Sequence, residues 1–466
     1  MSPSPIFAPD GRPMYTIPIA DRPPHGPLST KIFFPLFFNL AQLGINSAQF
    51  ASLPLLLIPF VGRRLYDAAI DWTKDGYGRL LILITVLFGP TSLVLTTDTP
   101  PDLADLVERD DHGNMTRINL PDRLVIMSNH QAYTDWMYMW ILACYAGHAR
   151  GLTILLKASL KNIPVVGWGM QFFRFIFLNR SWAADRANLT RSLTRLGRKA
   201  RSSDEAAPNG VVDGSGKPAN GAGPNADGDE AASLLSRAKE GRTPLWLLIF
   251  PEGTITSDEE RAKSVRYANR EGIPDFVTML HPRSTGLLFC LRTLLPQIPD
   301  MQLLDVTIGY PGVPYGKYPQ EWYGLGSIFF SSVPPPTVHI HLHLYTDLSS
   351  PSSPIPSLRT PQLAHPSRPP TPGSVPADMG VASPEEARAF ELWLRGVWTE
   401  KEKRLGRFMK TDQRFVGDGG EQAREVVPIR QVKWYHWIAA FGGGGMGTLA
   451  VACVALWGIV TRGSYP

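Results

Sequence analysis

The chain has 466 residues, 44% of them hydrophobic, so it is long enough for two or three domains and can bury a sizeable core. Its formal net charge of +5 suits an anionic membrane surface or anionic substrates, and no basic segment alternates with aromatic residues, which argues against nucleic-acid binding. Cys144, Cys290 and Cys453 are its cysteines and form no CxxC pair, so neither a disulfide framework nor a cysteine metal site is expected.

The first hundred residues combine a proline-rich start with two uncharged stretches. Residues 1–30 lack the apolar core of a secretory signal and are expected to be a disordered tail. In residues 31–100, Ile32 to Gly62 exceeds the roughly 20 residues that cross a bilayer as a helix. Leu80 to Thr97 is interrupted by Gly89 and Pro90. The two stretches predict membrane helices, either as two spans or as a hairpin within one leaflet.

Four amides recur at helical spacing in the first stretch: Asn39, Gln42, Asn46 and Gln49. They form one polar stripe on an otherwise apolar helix. The stripe predicts hydrogen bonding between helices, and the alternative is a surface that faces a lipid-substrate path.

A short apolar run, Leu124 to Met127, ends in polar residues and predicts a buried central strand. Asn129, His130 and Asp135 follow it, where open α/β sheets place their ligands. A histidine accepts a proton near neutral pH, and a carboxylate on its other ring nitrogen orients it. On a regular helix these two residues would point about 140° apart, so a departure at the first helical turn is expected. A structural histidine with a helix-capping aspartate is the alternative.

Two further candidate strands end in cationic residues. Leu152 to Leu156 ends at Lys157, and the aromatic run Phe172 to Leu178 ends at Asn179 and Arg180. A guanidinium at a strand end can hold a phosphate through two parallel hydrogen bonds, although Arg180 can equally be a surface residue. Ala183 to Ala200 has the pattern of an amphipathic helix, and residues 202–232 resemble a disordered insertion.

The run Leu245 to Phe250 predicts a buried strand that leads into Pro251, Glu252, Gly253 and Thr254. Glycine permits a tight turn with exposed N–H groups, and Thr254 is a candidate helix cap. Glu252 suits the orientation of an arginine or the binding of a substrate hydroxyl, but a turn of this composition is also common without a function.

The segment His281 to Gly286 places Arg283 and two hydroxyls at the start of an apolar helix, which is a suitable place for an anion. Strands are predicted at Leu304 to Gly309 and at Val338 to Tyr345. His339, His341 and His343 lie on one face of the latter. Without a nearby carboxylate in sequence, we favour an edge strand and no metal site.

The remainder contains three segments. Residues 347–382 are rich in serine and proline and are expected to be a disordered loop. Residues 383–411 begin with the capping box Ser383 to Glu386 and form an amphipathic helix, which packs on the core or on a membrane interface. Residues 434–461 are apolar enough to predict a C-terminal transmembrane helix.

Four stretches in order resemble the glycerophospholipid acyltransferase family: NHQAYTD, the run FIFLNR, FPEGT and the strand LLDVTIGYP. The resemblance covers roughly Pro121 to Pro311. Ile255 follows FPEGT where many lysophosphatidate acyltransferases have arginine. Ser264, Ala268 and HPRSTG are instead similar to the lysocardiolipin and lysophosphatidylinositol acyltransferase branch.

The resemblance implies that His130 is the general base on a glycerol hydroxyl and that Asp135 aligns it. It also implies that Arg180, Glu252, Gly253 and Thr254 hold the glycerol phosphate and that Lys157 adds charge. Asn129 at its strand end and Arg283 at its helix start complete the expected substrate-binding set. Acyl-CoA is the expected co-substrate, with a lysophospholipid acceptor, membrane lipids around the protein, and no metal or bound cofactor. No nucleic acid and no obligate protein partner are expected.

The expected fold is therefore α/β, with a mixed, largely parallel sheet flanked by helices in a catalytic domain at residues 101–346, an N-terminal membrane hairpin and a C-terminal transmembrane helix. The expected function is an integral enzyme of the endoplasmic reticulum membrane that acylates a lysophospholipid of the 1-acylglycerol-3-phosphate or lysophosphatidylinositol type. The alternatives are a CoA-independent transacylase or hydrolase that uses the same histidine, and a non-catalytic membrane scaffold.

Overall fold

A computed structural model describes residues 6–99, 103–179, 181–206, 242–358, 380–411, 414–415, 424–431 and 433–441. The strands are β1 Ser92–Thr97, β2 Val107–Arg109, β3 Met115–Ile118, β4 Arg123–Ser128, β5 Leu152–Lys157, β6 Ile176–Leu178, β7 Leu245–Ile249, β8 Gln302–Gly309, β9 Thr337–Tyr345 and β10 Glu425–Pro428. The helices are α1 Leu28–Ala51, α2 Gly62–Phe88, α3 Leu103–Leu106, α4 Asp135–Tyr145, α5 Val166–Phe172, α6 Trp182–Ala206, α7 Asp258–Glu271, α8 Ser284–Leu294, α9 Pro384–Lys410 and α10 His436–Ala439.

Eight strands form one mixed sheet in the order β10-β1-β9-β8-β4-β7-β5-β6, and β2 and β3 form a separate hairpin. The pairs β1–β10 and β8–β9 are antiparallel, and the other neighbours in the sheet are parallel. Strand β4 lies between β7 and β8, and every residue in it is buried, as expected for an apolar strand in the interior of a parallel sheet. The predicted α/β class with a mixed, largely parallel sheet flanked by helices is confirmed.

The parallel strands β4, β5, β7 and β8 end at the same edge of the sheet. Met127 lies opposite Ile249, so continuing this register by three residues brings His130 level with Glu252. Ser128 lies opposite Val306 in β8, which brings the segment after Gly309 to the same edge. The sheet thus brings together loops that are far apart in sequence.

The first apolar stretch forms α1 and the short helix after it. Leu28–Leu57 is the only segment in the described part of the chain that is long and apolar enough to cross a membrane, with 28% of its most apolar window buried. The second predicted membrane segment is wrong. Leu80 to Thr85 lie in the core-facing half of α2, and after Gly89 the chain enters β1, which pairs with β9 and β10. This stretch is apolar because it is buried in the protein. The predicted hairpin of two membrane helices is therefore not present in the structure.

Three of the four amides in the polar stripe on α1 face protein, and Asn39 is exposed. Gln42, Asn46 and Gln49 are buried, and the Asn46 amide donates to the Val165 carbonyl at 2.8 Å. Gln49 lies 3.5 Å from the Thr73 hydroxyl of α2. These contacts support the interhelical interpretation and not a lipid path.

Two segments expected to be disordered are packed where the structure describes them. Ala8, Met14 and Ile17 form a small apolar cluster with Val333, so residues 6–27 are an ordered segment before α1. Leu348, Ile355 and Leu358 are fully buried. Sparse apolar residues in proline-rich sequence can still dock on a core that other elements have built, which periodicity does not reveal. The predicted insertion at residues 202–232 begins inside α6, and its residues 207–232 lie outside the described residues. Residues 359–379 of the predicted serine- and proline-rich loop also lie outside them.

Helix α9 begins with the predicted capping box between Ser383 and Glu386. Phe390, Leu394 and Trp398 are fully buried, so this helix packs on the core. Strand β9 is not an edge strand, because it pairs with β1 on one side and β8 on the other. Most of the predicted C-terminal transmembrane helix at residues 434–461 lies outside the described residues.

Candidate active site

The imidazole of His130 and the carboxylate of Asp135 form a hydrogen-bonded pair. His130 Nδ1 lies 2.8 Å from Asp135 Oδ2, with His130 in the loop after β4 and Asp135 at the first position of α4. The chain between them is not a regular helix, as predicted. Because a carboxylate only accepts hydrogen bonds, Nδ1 carries the proton and Nε2 of the neutral ring is an acceptor. The His130 side chain is 17% exposed and that of Asp135 is fully buried.

Asp135 is held by four hydrogen bonds. Besides His130, Oδ2 accepts from the backbone N–H groups of Gln131 at 2.6 Å and Ala132 at 3.0 Å. Oδ1 accepts from the Tyr310 hydroxyl at 2.6 Å. Burial and the neighbouring carboxylate raise the pKa of Tyr310 well above its usual range, so this tyrosine remains a neutral donor. The network fixes the carboxylate and thereby orients the imidazole.

Glu252 ties two loops together instead of pointing into solvent. Its Oε1 accepts from the His130 backbone N–H and its Oε2 from the Leu280 N–H, both at 3.1 Å. Burial raises the pKa of Glu252 to about 8, and the two N–H donors oppose that rise. The Phe250 ring stacks on the His130 imidazole with centroids 4.2 Å apart. The strand end that carries Glu252 therefore supports the histidine directly.

Gly253 and Arg283 form a cationic corner beside this support. Gly253 has a φ of +74°, and a Cβ there would lie 3.5 Å from Arg283 Nε, so the arginine side chain lies next to the glycine. The Arg283 backbone N–H donates to the Pro251 carbonyl at 2.8 Å, and Arg283 is the residue before α8, as the sequence predicted. Its side chain is exposed. The Gly253 N–H donates to the Phe250 carbonyl at 2.9 Å, so the exposed Arg283 guanidinium is the group at this corner that suits a phosphate or another anion.

The other predicted site residues have different placements. Asn129 is fully buried, and its amide exchanges two hydrogen bonds with the backbone of Ile308, at 3.0 and 2.8 Å. This favours a role in joining β4 to β8, and a substrate contact stays a prediction. Lys157 is exposed at the end of β5, opposite Leu178 of β6. Thr254 is half-buried and does not cap the next helix, because Ser257 does so. Arg180 lies outside the described residues.

Two residues of this network were not predicted. Tyr310 follows β8 directly, and its position at the end of the strand motif IGYP is a signal from which its place at the site could have been predicted. Phe250 was predicted only as the last residue of an apolar strand. Its contact with His130 depends on the register between β4 and β7, which the local sequence does not specify.

No cluster of three or more metal-ligating side chains with suitable geometry occurs in the described ranges. The histidines of β9 have protein partners instead. His341 and His343 both contact Asp98, at 3.2 and 2.7 Å, and His339 lies 3.1 Å from the Thr337 hydroxyl.

Comparison with known proteins matches residues 112–310 to a family model described as Acyltransferase. The chain is 33% identical over 304 residues to a 2-acyl-1-lysophosphatidylinositol acyltransferase of Saccharomyces cerevisiae, covering 64% of each chain. It is 28% identical to an uncharacterized acyltransferase of Schizosaccharomyces pombe, over 82% of this chain and 85% of that protein. It is 27% identical to lysocardiolipin acyltransferase 1 of Danio rerio, over 62% of this chain and 53% of that protein. No solved structure matches the chain significantly.

Proposed function

Residues 112–310 form a domain of the acyltransferase family, and on this premise we propose that the chain transfers a fatty acyl group from acyl-CoA to the free hydroxyl of a lysophospholipid. The observation that carries the proposal is the His130 imidazole, bonded at 2.8 Å to a buried carboxylate at the carboxyl edge of a parallel sheet. The cationic corner of Gly253 and Arg283 lies on the turn that supports it.

In the proposed reaction, His130 Nε2 accepts the proton of the acceptor hydroxyl. The oxygen attacks the thioester carbonyl carbon and forms the new ester bond. The carbon–sulfur bond breaks, and the departing thiolate takes the proton back from the imidazolium. Asp135 stabilises the imidazolium while it exists, and Tyr310 and the N–H groups of Gln131 and Ala132 keep Asp135 in place. General-base catalysis contributes about 10²- to 10⁴-fold, which is adequate for an activated thioester.

We assign the phosphate of the acceptor to the corner of Gly253, Thr254 and Arg283, with Lys157 and Arg180 as further cations. Arg283 lies beside Gly253, and in this proposal its guanidinium serves in place of the arginine that many lysophosphatidate acyltransferases have after FPEGT, where this chain has Ile255. The name of the Saccharomyces cerevisiae relative supports a lysophosphatidylinositol acceptor, and 1-acylglycerol-3-phosphate is the alternative acceptor. Glu252 is a positioning residue in this scheme, because both its oxygens are occupied by backbone donors.

We also propose that the enzyme is integral to the endoplasmic reticulum membrane. Helix α1 and the turn after it display large apolar side chains to the outside, including Leu57 at 84% and Phe60 at 102% relative exposure. Such a surface is stable only in contact with lipid or another protein. Because the acceptor is an amphiphile, a site held at the membrane surface receives it without extraction into water.

The test uses purified full-length protein, one acyl-CoA and a panel of lysophospholipid acceptors, with product lipids and released CoA thiol both measured. His130→Ala should abolish transfer, and His112→Ala, an exposed loop histidine, should leave it unchanged. Transfer from a diacyl phospholipid donor without acyl-CoA would instead support the transacylase alternative. Activity of His130→Ala equal to that of the wild type would refute the base assignment.

A further inference from the structure

A charged pocket lies at the amino-terminal ends of the parallel strands, whereas His130 lies at their carboxyl ends. It is lined by the residues that precede β5 and β7, namely Gly151, Thr243 and Pro244, together with the first half of α2 and part of α6. Its volume is about 100 Å³, compared with a share of roughly 30 Å³ for one water molecule in the liquid. The five residues of β7 lie between the pocket and the turn that carries Glu252. At roughly 3.3 Å per residue, this strand spans about 17 Å. It is therefore distinct from the active site.

The walls of this pocket are strongly cationic. Six basic side chains line it against two acidic ones: Arg63, Lys74, Arg150, Arg174, Arg195 and Lys199 against Asp67 and Asp71. Asp71 is bound by Lys199 Nζ at 2.8 Å. Asp67 is bound by Arg63 and by Arg174. Both acidic groups are thus occupied, and the surplus charge faces the cavity.

The most informative residue of the pocket is Lys74. Its side chain is 95% buried, because only 5% of the residue is exposed, and it lines the cavity. Among the described residues its ammonium has no carboxylate partner and lies over the Phe175 ring at 5.6 Å from the centroid. Burial lowers the pKa of Lys74 to about 7; the charge of Asp71 opposes this fall, and the nearby Lys199, Arg174 and Arg195 add to it. A buried cation that no carboxylate contacts directly is costly, so an anion in the cavity would stabilise this arrangement.

Arg174 and the exposed Arg150 and Arg195 extend the charge towards the opening. Arg174 has a φ of +58°, a left-handed conformation that is unfavourable for arginine. Arg150 and Arg195 have no acidic partner in the described part of the chain. The site therefore combines a buried ammonium with guanidinium groups at its entrance. Guanidinium groups bind phosphate through pairs of parallel hydrogen bonds, so this arrangement suits a phosphate group.

The position of the pocket near an exposed apolar turn indicates that the phosphate belongs to a lipid headgroup. Arg63 follows the exposed apolar turn by three residues, and this turn carries Leu57 and Phe60 at 84% and 102% exposure. If the turn enters a lipid monolayer, Arg63 and the pocket lie at the depth of the headgroups. Anionic headgroups also concentrate near clustered basic residues at a membrane surface.

We propose that this pocket binds the headgroup phosphate of an anionic phospholipid, as a non-catalytic site that fixes the protein on the membrane beside its apolar turn. The lipid chains remain in the bilayer next to Leu57 and Phe60, and the phosphate enters between α2 and α6. The site is independent of the acyl-transfer proposal, since no residue of the His130 network takes part in it.

The test measures the thermal stability of the full chain under two pairs of conditions. The first pair is nanodiscs of phosphatidylcholine alone and of phosphatidylcholine with one-fifth diacyl phosphatidylserine. The second pair is detergent solution with inorganic phosphate or with chloride at equal ionic strength. We expect phosphatidylserine to raise Tm by a few degrees, as ligands that bind only the folded state do. Lys74→Met should remove this rise and weaken binding by about tenfold or more.

Two further variants make the result specific. Lys74→Met should not lower Tm in phosphatidylcholine alone, because it removes a buried charge that no carboxylate contacts directly. If that variant does not fold, the exposed pair Arg150→Gln with Arg195→Gln takes its place. Arg191→Gln, also on α6 but outside the pocket, is the matched control for non-specific attraction and should keep the full rise.

A rise in Tm that survives Lys74→Met, or that Arg191→Gln reduces equally, overturns the site. Stabilisation by inorganic phosphate without stabilisation by phosphatidylserine overturns the assignment to lipid and leaves a soluble phosphate as the ligand. No stabilisation in either pair overturns the proposal as a whole.

Discussion

Replacement of Asp135 by asparagine tests the proposed proton transfer most directly. Asparagine has almost the same shape, and its amide oxygen can take the position of Oδ2, where it accepts from His130 Nδ1 and the N–H groups of Gln131 and Ala132. The amide NH₂ then faces Tyr310, whose hydroxyl turns to accept instead of donate. The hydrogen bonds are conserved in number, and the negative charge is lost.

The magnitude follows from that charge. An imidazolium and a carboxylate about 4 Å apart attract by roughly 4 kcal/mol at an effective dielectric constant near 20. Each 1.36 kcal/mol corresponds to about tenfold in rate, so Asp135→Asn should lower kcat/KM by about 10³-fold. Tyr310→Phe removes a single hydrogen bond to Oδ1 and keeps the charge, so it should cost about tenfold or less.

The assay is initial-rate release of CoA thiol, with product lipid quantified in parallel and Tm recorded for each variant. An Asp135→Asn protein with unchanged Tm and a kcat/KM within about threefold of the wild type would contradict the role assigned to the pair. A Tyr310→Phe defect as large as that of Asp135→Asn would show that geometry, and not charge, limits the reaction.

Three further changes test other parts of the site. Glu252 has its pKa raised by burial from 4.5 to about 8, so the folded state binds a proton more tightly than the unfolded state, and the free energy of unfolding should fall as pH rises from about 4.5 to 8. Melting curves across that range should show this slope in the wild type and less of it in Glu252→Gln; equal slopes would contradict it. Arg283→Gln should raise KM for the lysophospholipid about tenfold or more and leave KM for acyl-CoA nearly unchanged, and equal effects on both substrates would remove the phosphate assignment. Asn129→Ala should destabilise the fold by about 2–4 kcal/mol, since it leaves the N–H and carbonyl of Ile308 buried without their partners; a neutral effect in denaturant titration would argue against its structural role.

Local sequence signals were sufficient wherever the signal was strong and self-contained. Leu124 to Met127 and Leu245 to Phe250 are short apolar runs ended by turn residues, and both are strands of the sheet. The capping box at Ser383 started a helix because its hydrogen bonds involve only residues three apart. The same locality explains why the His130 and Asp135 pair was identified from spacing and strand position.

Apolar content alone did not distinguish membrane from core. Leu80 to Thr97 has the composition of a membrane segment, but its first half packs in the protein and its second half is strand β1. The converse error concerned Met14, Ile17 and Leu348, which lie in proline-rich sequence but are buried. In each case, the partner surface comes from residues distant in the chain, so no window of sequence contains the information.

The amino-acid sequence by itself determined the strands that lead to the candidate site, the pairing of His130 with Asp135 and the family resemblance, because each depends on a few neighbouring residues and on short-range stereochemistry. Tertiary structure decided that Glu252 supports the His130 loop, that Tyr310 holds Asp135, and that Arg283 lies against Gly253. It also decided that basic residues from α2, α5–β6 and α6 surround Lys74 at the other end of the sheet. Strand register and helix packing set these distances, and both are properties of the whole folded chain.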